Sequence, residues 1–298
     1  MNYKLATTLL LKKLLILKEM KLSNKILIAF AASLILIPVL GMIIVSATQY
    51  KTGTHADLVR QIENFSTPTK NMVSVPISKS FDSINIADGK KITFRINLIK
   101  DDKFGIKIPN SLKDQISIHP DANGQLQIEV RASPNDENQY ANIYIYCPNV
   151  KGISVVNAAI NLTVKQDSIN INLKKTSSFY FEDTQLNKAT INATNCETVN
   201  LREDNIKSLT LKLINTNFST ELISYDFLSI STSGKSEIYI TGSREKSSNY
   251  SIKNLILNTV DQAEVKLENI KVNNCSGKLS DETQVQMPAI NLNQMYKK

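Results

Sequence analysis

One phrase recurs along the second half of the chain, and its spacing constrains the fold more than any other feature. It is clearest in "NIKSLTLKLINTN" (205–217) and "SIKNLILNT" (251–259), and weaker in "LNKATINAT" (186–194) and "NIKVNNCSG" (269–277). Aligned copies start at Val150, Gln166, Leu186, Ile206, Phe227, Ile252 and Ile270, with intervals of 16, 20, 20, 21, 25 and 18 residues. Each unit carries a second apolar alternation: Phe179 and Phe181, Val199 and Leu201, Thr220 and Leu222, Ile238 and Ile240, Val265 and Leu267. Two short strands and two turns cannot bury an apolar face alone, whereas a stack of such units can. The spacing predicts an all-β fold, a solenoid-like β-helix of stacked short strands, with Ile191, Leu211, Ile230 and Leu257 in one inward column. An antiparallel β-sandwich also reads as short strands with turn signals every 8–12 residues or so, but it does not call for the same phrase at each interval.

Within the repeats, Asn172, Asn195, Asn215, Asn258 and Asn274 fall near the expected corners. Asparagine suits such places because its side chain bonds turn backbone, tolerates left-handed φ and ladders with an equivalent amide one layer away. The longest interval fits an inserted loop, "GSREKSSNYS" at 242–251. Upstream, period-two alternation puts Ile92, Phe94, Ile96 and Leu98 on one face, then Leu126, Ile128 and Val130, then Ile143, Ile145 and Cys147 against Tyr144 and Tyr146. "DANG" before Gln125 is a hairpin turn signal. Helical signals are nearly absent beyond residue 65, and a last layer near 280–290 without a cap is expected to expose an edge that stacks on another copy.

The N-terminus has a different character. Residues 26–45, "ILIAFAASLILIPVLGMIIV", run uncharged for 20 positions, long enough to cross a hydrocarbon core of about 30 Å. Lys4, Lys12, Lys13, Lys18, Lys21 and Lys25 against Glu19 supply +5 of the formal +8 net charge before this run, so the basic balance is a topology signal and argues against nucleic-acid binding. The expected layout is a basic cytoplasmic segment (1–25), a transmembrane anchor (26–46), a tether (47–75), the β-domain (76–290) and a tail (291–298). That makes a single-pass protein of a bacterial inner membrane, N-terminus cytoplasmic and domain periplasmic. The alternative is a signal peptide cleaved near Ala47, since "VSA" has a small-x-small pattern. Translation from Met1 or from Met20, which opens "MKLSNKILIAF", stays open.

Several of these segments together, "FDSINIADGKKITFRI", "GQLQIEVRA" and "ANIYIYCPNVKGISVVNAAINLTV", followed by "LTLKLINTN"-like units, resemble the DUF2807 family, named for a "putative auto-transporter adhesin" head, the GIN domain, over roughly residues 76–287. Phe81, Ile84, Ile86, Gly89, Ile92 and Phe94, then Leu126 and Ile128, then Ile143, Ile145, Tyr146, Pro148, Val150, Ile153 and Val155 occupy the motif positions. The family's Ser-Gly turns survive here only at Ser233-Gly234 and Ser276-Gly277. The resemblance implies a β-helical exported domain of the cell envelope with no established catalytic activity.

Motifs that carry chemistry are sparse. His55 and His119 have no second ligand at metal spacing, and no nucleophile elbow, P-loop or dinucleotide fingerprint occurs. No catalytic residue, cofactor or metal is expected. Cys147, Cys196 and Cys275 lie far apart and read as small buried hydrophobes, with one disulfide pair left open. Glu182-Asp183 and "LREDN" (201–205) form the single acidic concentration, where Asp183 and Asp204 would lie about 4.8 Å apart on adjacent strands. A solvated corner, a calcium site or a glycosidase-like pair are the readings for it. Tyr144 and Tyr146 point away from the expected core, either to stack on sugars or on a partner, an envelope protein or glycan, or to lie against a second layer of strands. The function that follows is a non-catalytic scaffold or adhesin-like binding domain of unknown partner, with a carbohydrate-active enzyme or a transmembrane signalling partner as alternatives.

Overall fold

The computed structural model describes residues 21–49, 62–131, 140–243 and 250–296. The chain divides into two units at residue 59. The first contains α1 (Leu22–Gln49), a helix with Pro38 inside it. Its stretch Leu22–Ile44 is long and apolar enough to cross a membrane, and Leu27, Phe30, Leu34, Ile35 and Ile37 all stand exposed on it. Ser33 donates its hydroxyl to the Phe30 carbonyl at 2.7 Å, the way a hydroxyl is satisfied without water.

The second unit is built almost wholly of strands. In chain order these are β1 (Met72–Pro76), β2 (Ser83–Ile86), β3 (Thr93–Lys100), β4 (Gly105–Pro109), β5 (Ile116–Pro120), β6 (Gln125–Val130) and β7 (Tyr140–Cys147). Then come β8 (Gly152–Val156), β9 (Ala159–Thr163), β10 (Lys165–Lys174), β11 (Ser178–Phe181), β12 (Gln185–Thr194), β13 (Thr198–Arg202) and β14 (Asn205–Ile214). The last are β15 (Asn217–Glu221), β16 (Tyr225–Ser233), β17 (Ser236–Thr241), β18 (Ser251–Thr259), β19 (Ala263–Glu268), β20 (Lys271–Lys278) and β21 (Thr283–Gln286), followed by helix α2 (Ala289–Tyr296).

These strands make two sheets. The eleven-stranded sheet runs β1-β4-β7-β3-β9-β11-β13-β15-β17-β19-β21, and the ten-stranded sheet runs β20-β18-β16-β14-β12-β10-β8-β2-β6-β5. From β8 onward successive strands alternate between the sheets, each pairing in parallel with the strand two places on. The antiparallel pairs are β1 with β4, β4 with β7, and β5 with β6. The fold is therefore all-β, and an antiparallel sandwich does not describe it. Nor is the stack confined to residues after 150, because β2 inserts beside β8 and β3 beside β9.

Burial follows from this layering. Ile84, Ile153, Ile171, Ile191, Leu211, Ile230 and Leu257 are successive register partners, so the expected inward column exists and is longer than its four named members. All seven are buried at 2% exposure or less, in one core shared with Val199, Phe218 and Ile238 of the other sheet. The register differs from the sequence alignment elsewhere. Ile252 pairs with Tyr225 and with Val272, where the alignment set it beside Phe227 and Ile270; Ile153 pairs with Ile171, which shifts Val150 by two from Gln166. A slip of two keeps every side chain on its face, so the hydrophobic pattern alone does not detect it. Similarly, Phe218 and Thr220 face inward opposite Val199 and Leu201, while Leu222 turns the corner at φ 58.

The repeated phrase itself marks a bend. In each strand from β10 to β20 of the ten-stranded sheet two consecutive residues point outward, Asp167-Ser168, Asn187-Lys188, Lys207-Ser208, Asp226-Phe227, Lys253-Asn254 and Asn273-Asn274, between inward neighbours such as Ile206 and Leu209. The ridge is laddered by Asn187 donating to Asp167 at 2.7 Å and Asn274 donating to Asn254 at 3.1 Å. Asn195 and Asn215 hold the expected left-handed corners, and Asn215 donates to Asn195 at 3.0 Å. Asn172, Asn258 and Asn274 lie within strands, where Asn172 accepts from Asn192 at 2.9 Å.

Both ends of the stack are dressed. At the C-terminal end α2, which the sequence reading took as a helix-free end, lies on edge strand β20. Gln294 accepts from Cys275 N–H at 2.8 Å and donates to the Asn273 carbonyl at 2.9 Å, giving the edge the partner a further strand would supply. The open-edge expectation is thus corrected for this sheet. At the other end, β5 and β6 form a hairpin whose turn holds Gly124 at φ 74, as "DANG" requires.

Candidate binding face

Two outward surfaces are available, and the eleven-stranded sheet carries the more diverse one. Along its centre, register partners place Asn142, Arg95, Asn161, Tyr180, Asn200, Ser219, Tyr239 and Lys266 in one outward column, crossing β7, β3, β9, β11, β13, β15, β17 and β19. Parallel strands in register put like positions about 4.8 Å apart, so this is a continuous and closely spaced row. Tyr180 and Tyr239 are 41% and 37% exposed, unusual for aromatics on a parallel sheet face.

Around the row the polar groups hold one another. Asn200 Oδ1 accepts from Thr198 Oγ1 at 3.1 Å and from Ser219 Oγ. Asn97 donates to Asn142 at 2.8 Å, and Asn142 to the Tyr144 hydroxyl at 3.0 Å. Asn161 donates to Glu182 at 2.8 Å, and Arg95 pairs with the same carboxylate at 3.1 Å. Arg202 contacts Glu221 at 3.4 Å and Glu203 at 3.5 Å, while Lys266 contacts Glu268 at 3.2 Å. Tyr239 donates to Glu268 at 3.3 Å and has the Lys266 ammonium 5.5 Å from its ring centroid, which holds the ring in place.

The pair of tyrosines singled out by alternation is disposed otherwise. Tyr144 is half-buried in this face, but Tyr146 is fully buried, so of the two readings the second layer is the one that holds for it. The covering layer is the segment just ahead of β1. Phe65 packs on Tyr146 with ring centroids 5.4 Å apart, and the Tyr146 hydroxyl donates to the Ile62 carbonyl. Gly105 admits this packing, since a Cβ there would stand 2.3 Å from the Phe65 ring. Beneath the segment Lys107 is fully buried, donating to the carbonyls of Asn64 and Thr67 at 2.8 Å each and to Thr69 Oγ1 at 3.1 Å. Desolvation lowers the Lys107 pKa, opposed by the charge of Asp101. Asp101 in turn accepts from Phe65 N–H at 3.2 Å. Residues 62–75 of the expected tether are therefore fastened to the domain, whereas residues 47–49 continue α1; residues 50–61, including His55, lie outside the described residues.

The acidic corner is largely spoken for. Asp183, at φ 45, pairs with Lys165 at 2.6 Å, and Glu182 with Arg95. Asp204 is half-buried and accepts from Arg202 N–H at 3.2 Å. Desolvation raises its pKa to about 6, with the Asp183 charge pushing the same way. Among the described residues no cluster of three His, Cys, Asp or Glu side chains is disposed to hold a metal. His119 is exposed, 3.9 Å from Glu129. Cys147, Cys196 and Cys275 are free thiols and buried; burial raises Cys147 to about 12 and Cys275 to about 11, which leaves them poor nucleophiles. The sequence reading missed Tyr180 and Tyr239 as a pair. The signal was present, since both occupy the second position of the second alternation in their units, "SFYF" and "SEIYIT", on the side opposite the apolar residues.

No family model matches the chain, so the DUF2807 resemblance rests on its motif residues alone, and no curated protein matches it. Among solved structures the chain is similar to a "putative adhesin" from Bacteroides fragilis, at 12% identity and TM-score 0.46, over 73% of this chain and 97% of that one. It is also similar to a "putative lipid binding protein" from Parabacteroides distasonis, at 13% identity and TM-score 0.44, over 72% and 92%. A "putative adhesin" from Parabacteroides merdae follows, at 13% identity and TM-score 0.41, over 72% and 90%.

Proposed function

We propose that the chain is a membrane-tethered, non-catalytic binding protein of the cell envelope, and that it binds through the outer face of the eleven-stranded sheet. The observation that carries this reading is the continuous outward row with exposed Tyr180 and Tyr239 set among amide and hydroxyl groups. A soluble fold has no structural need for two exposed rings on such a face, and aligned exposed aromatics are the usual mark of a recognition surface. The N-terminal apolar helix supports an anchor. Lysines ahead of it favour an N-in orientation with the domain in the periplasm, and cleavage near Ala47 would instead release the domain.

Two measurements test this. Protease accessibility in intact and permeabilised cells reports sidedness, and a domain digested only after permeabilisation of the outer membrane fits the proposal. Retention of the full-length protein on isolated envelope fragments reports binding. Asn200→Arg on the proposed face should abolish retention while Thr210→Arg on the opposite sheet should not; equal behaviour of the two variants refutes the face.

A second reading, a glycan-cleaving enzyme, is favoured by one observation: Asp204, with its pKa raised to about 6, lies close enough to feel the Asp183 charge. It requires turnover of an envelope glycan that disappears in Asp204→Asn. Against it, Asp183 is already held by Lys165 at 2.6 Å.

A further inference from the structure

Resting on the reading of this face as a binding surface, we infer that its ligand is an uncharged, extended polysaccharide lying across the strands and stacking on Tyr180 and Tyr239.

Charge comes first. Among the described residues, the three cations exposed on this face of the strands are each paired within it: Arg95 with Glu182, Arg202 with Glu203 and Glu221, and Lys266 with Glu268. Glu237 and Glu264 add exposed carboxylates on neighbouring strands. Among the described residues, a polyanion such as a nucleic acid, a uronate chain or an anionic lipid surface meets no unpaired cation in these columns and several negative charges. A large apolar partner fits no better, because the residues between the rings are Asn200 and Ser219.

Shape comes next. Tyr180 on β11 and Tyr239 on β17 are three strand spacings apart, about 14 Å, in one in-register row. That span matches several units of an extended chain and exceeds a single small molecule. Aromatic faces take the apolar C–H faces of sugar rings, and amides and hydroxyls between them match alternating ring hydroxyls. The Tyr239 ring is held by Lys266 and Glu268, so little conformational freedom is lost on stacking.

The test uses the full-length protein in detergent and native affinity gels cast with dextran, mannan or a mixed-linkage glucan, with polygalacturonate as the polyanionic counterpart. The expected result is retardation by at least one of the neutral polymers and none by polygalacturonate. Tyr180→Ala and Tyr239→Ala should each weaken it about threefold to tenfold. Tyr180→Phe and Tyr239→Phe should keep it, since the ring does the stacking, and unchanged circular dichroism shows that the variants fold. Retardation by polygalacturonate alone, unaltered binding in the Ala variants, or no binding to any neutral polymer overturns the inference. In the last case, loss of envelope retention in Asn200→Arg leaves the binding face intact with another ligand, whereas retention unaffected by Asn200→Arg removes the face as well. A concentration-dependent dimer abolished by Asn200→Arg identifies a second copy as the occupant and also overturns the inference.

Discussion

A buried ammonium is costly unless its donors are matched, and Lys107 is matched to oxygens from Asn64, Thr67 and Thr69. Replacing it with methionine keeps the stem and strands the two carbonyls. Lys107→Met is expected to destabilise the domain by about 1–3 kcal/mol, and limited proteolysis within 62–71 would show the segment loosened. Gly105→Ala should act on the same segment by pushing Phe65 out of contact. Asp204 gives the pH-dependent counterpart. Its folded pKa, about 6, is above the ordinary 3.8, so between those values the folded state binds more proton than the unfolded. Stability contributed by this group therefore falls as pH rises through that window and is lowest above about 6. Asp204→Asn should flatten that slope in thermal melts taken from pH 4 to pH 7 or so, because an amide does not titrate in that range, while its oxygen still accepts from Arg202 N–H. Little of this was legible in the sequence. "GIKIP" puts Lys107 between two core isoleucines in a strand that is buried on both faces, and only the covering segment, 40 residues away along the chain, explains a lysine there.

Elements were more legible than their registers. Period-two alternation located most strands and their inward residues, because a strand with one buried face has no freedom in which side it turns. Register was another matter: Val150, Phe227 and Ile270, three of the seven aligned copies, lie two residues away from the register that the other four share, since a shift of two leaves every residue on its face. The column through Leu211 is insensitive to this and gives the cleanest test. Leu211→Ala, between Ile191 and Ile230, should cost about 2–5 kcal/mol in a denaturant titration. At the edge, α2 was missed because "INLNQMY" carries weak helical periodicity; it docks through buried Asn291, Met295 and the two hydrogen bonds of Gln294. Gln294→Ala strips the Cys275 N–H and the Asn273 carbonyl of their partners. A loss of about 1 kcal/mol is expected, with self-association rising by light scattering as the bared strand pairs with another copy.

At the scale of the molecule, the stack turns one short motif into a long face. Each added layer extends both sheets by about 4.8 Å and repeats the outward pattern, so a row such as that through Tyr180 and Tyr239 follows from repetition and needs no separate design. The candidate face was only half legible, because an outward position is easy to assign whereas alignment between layers depends on the register. The strap at residues 62–76 has a mechanical consequence. Were the chain anchored and holding a polymer as proposed, tension between the two would enter the domain through that strap. The hydrogen bonds around the Lys107 ammonium and the five residues of β1 would carry the load before any rung does. A clasp of this kind would then lengthen the leash under force and spare the stack behind it.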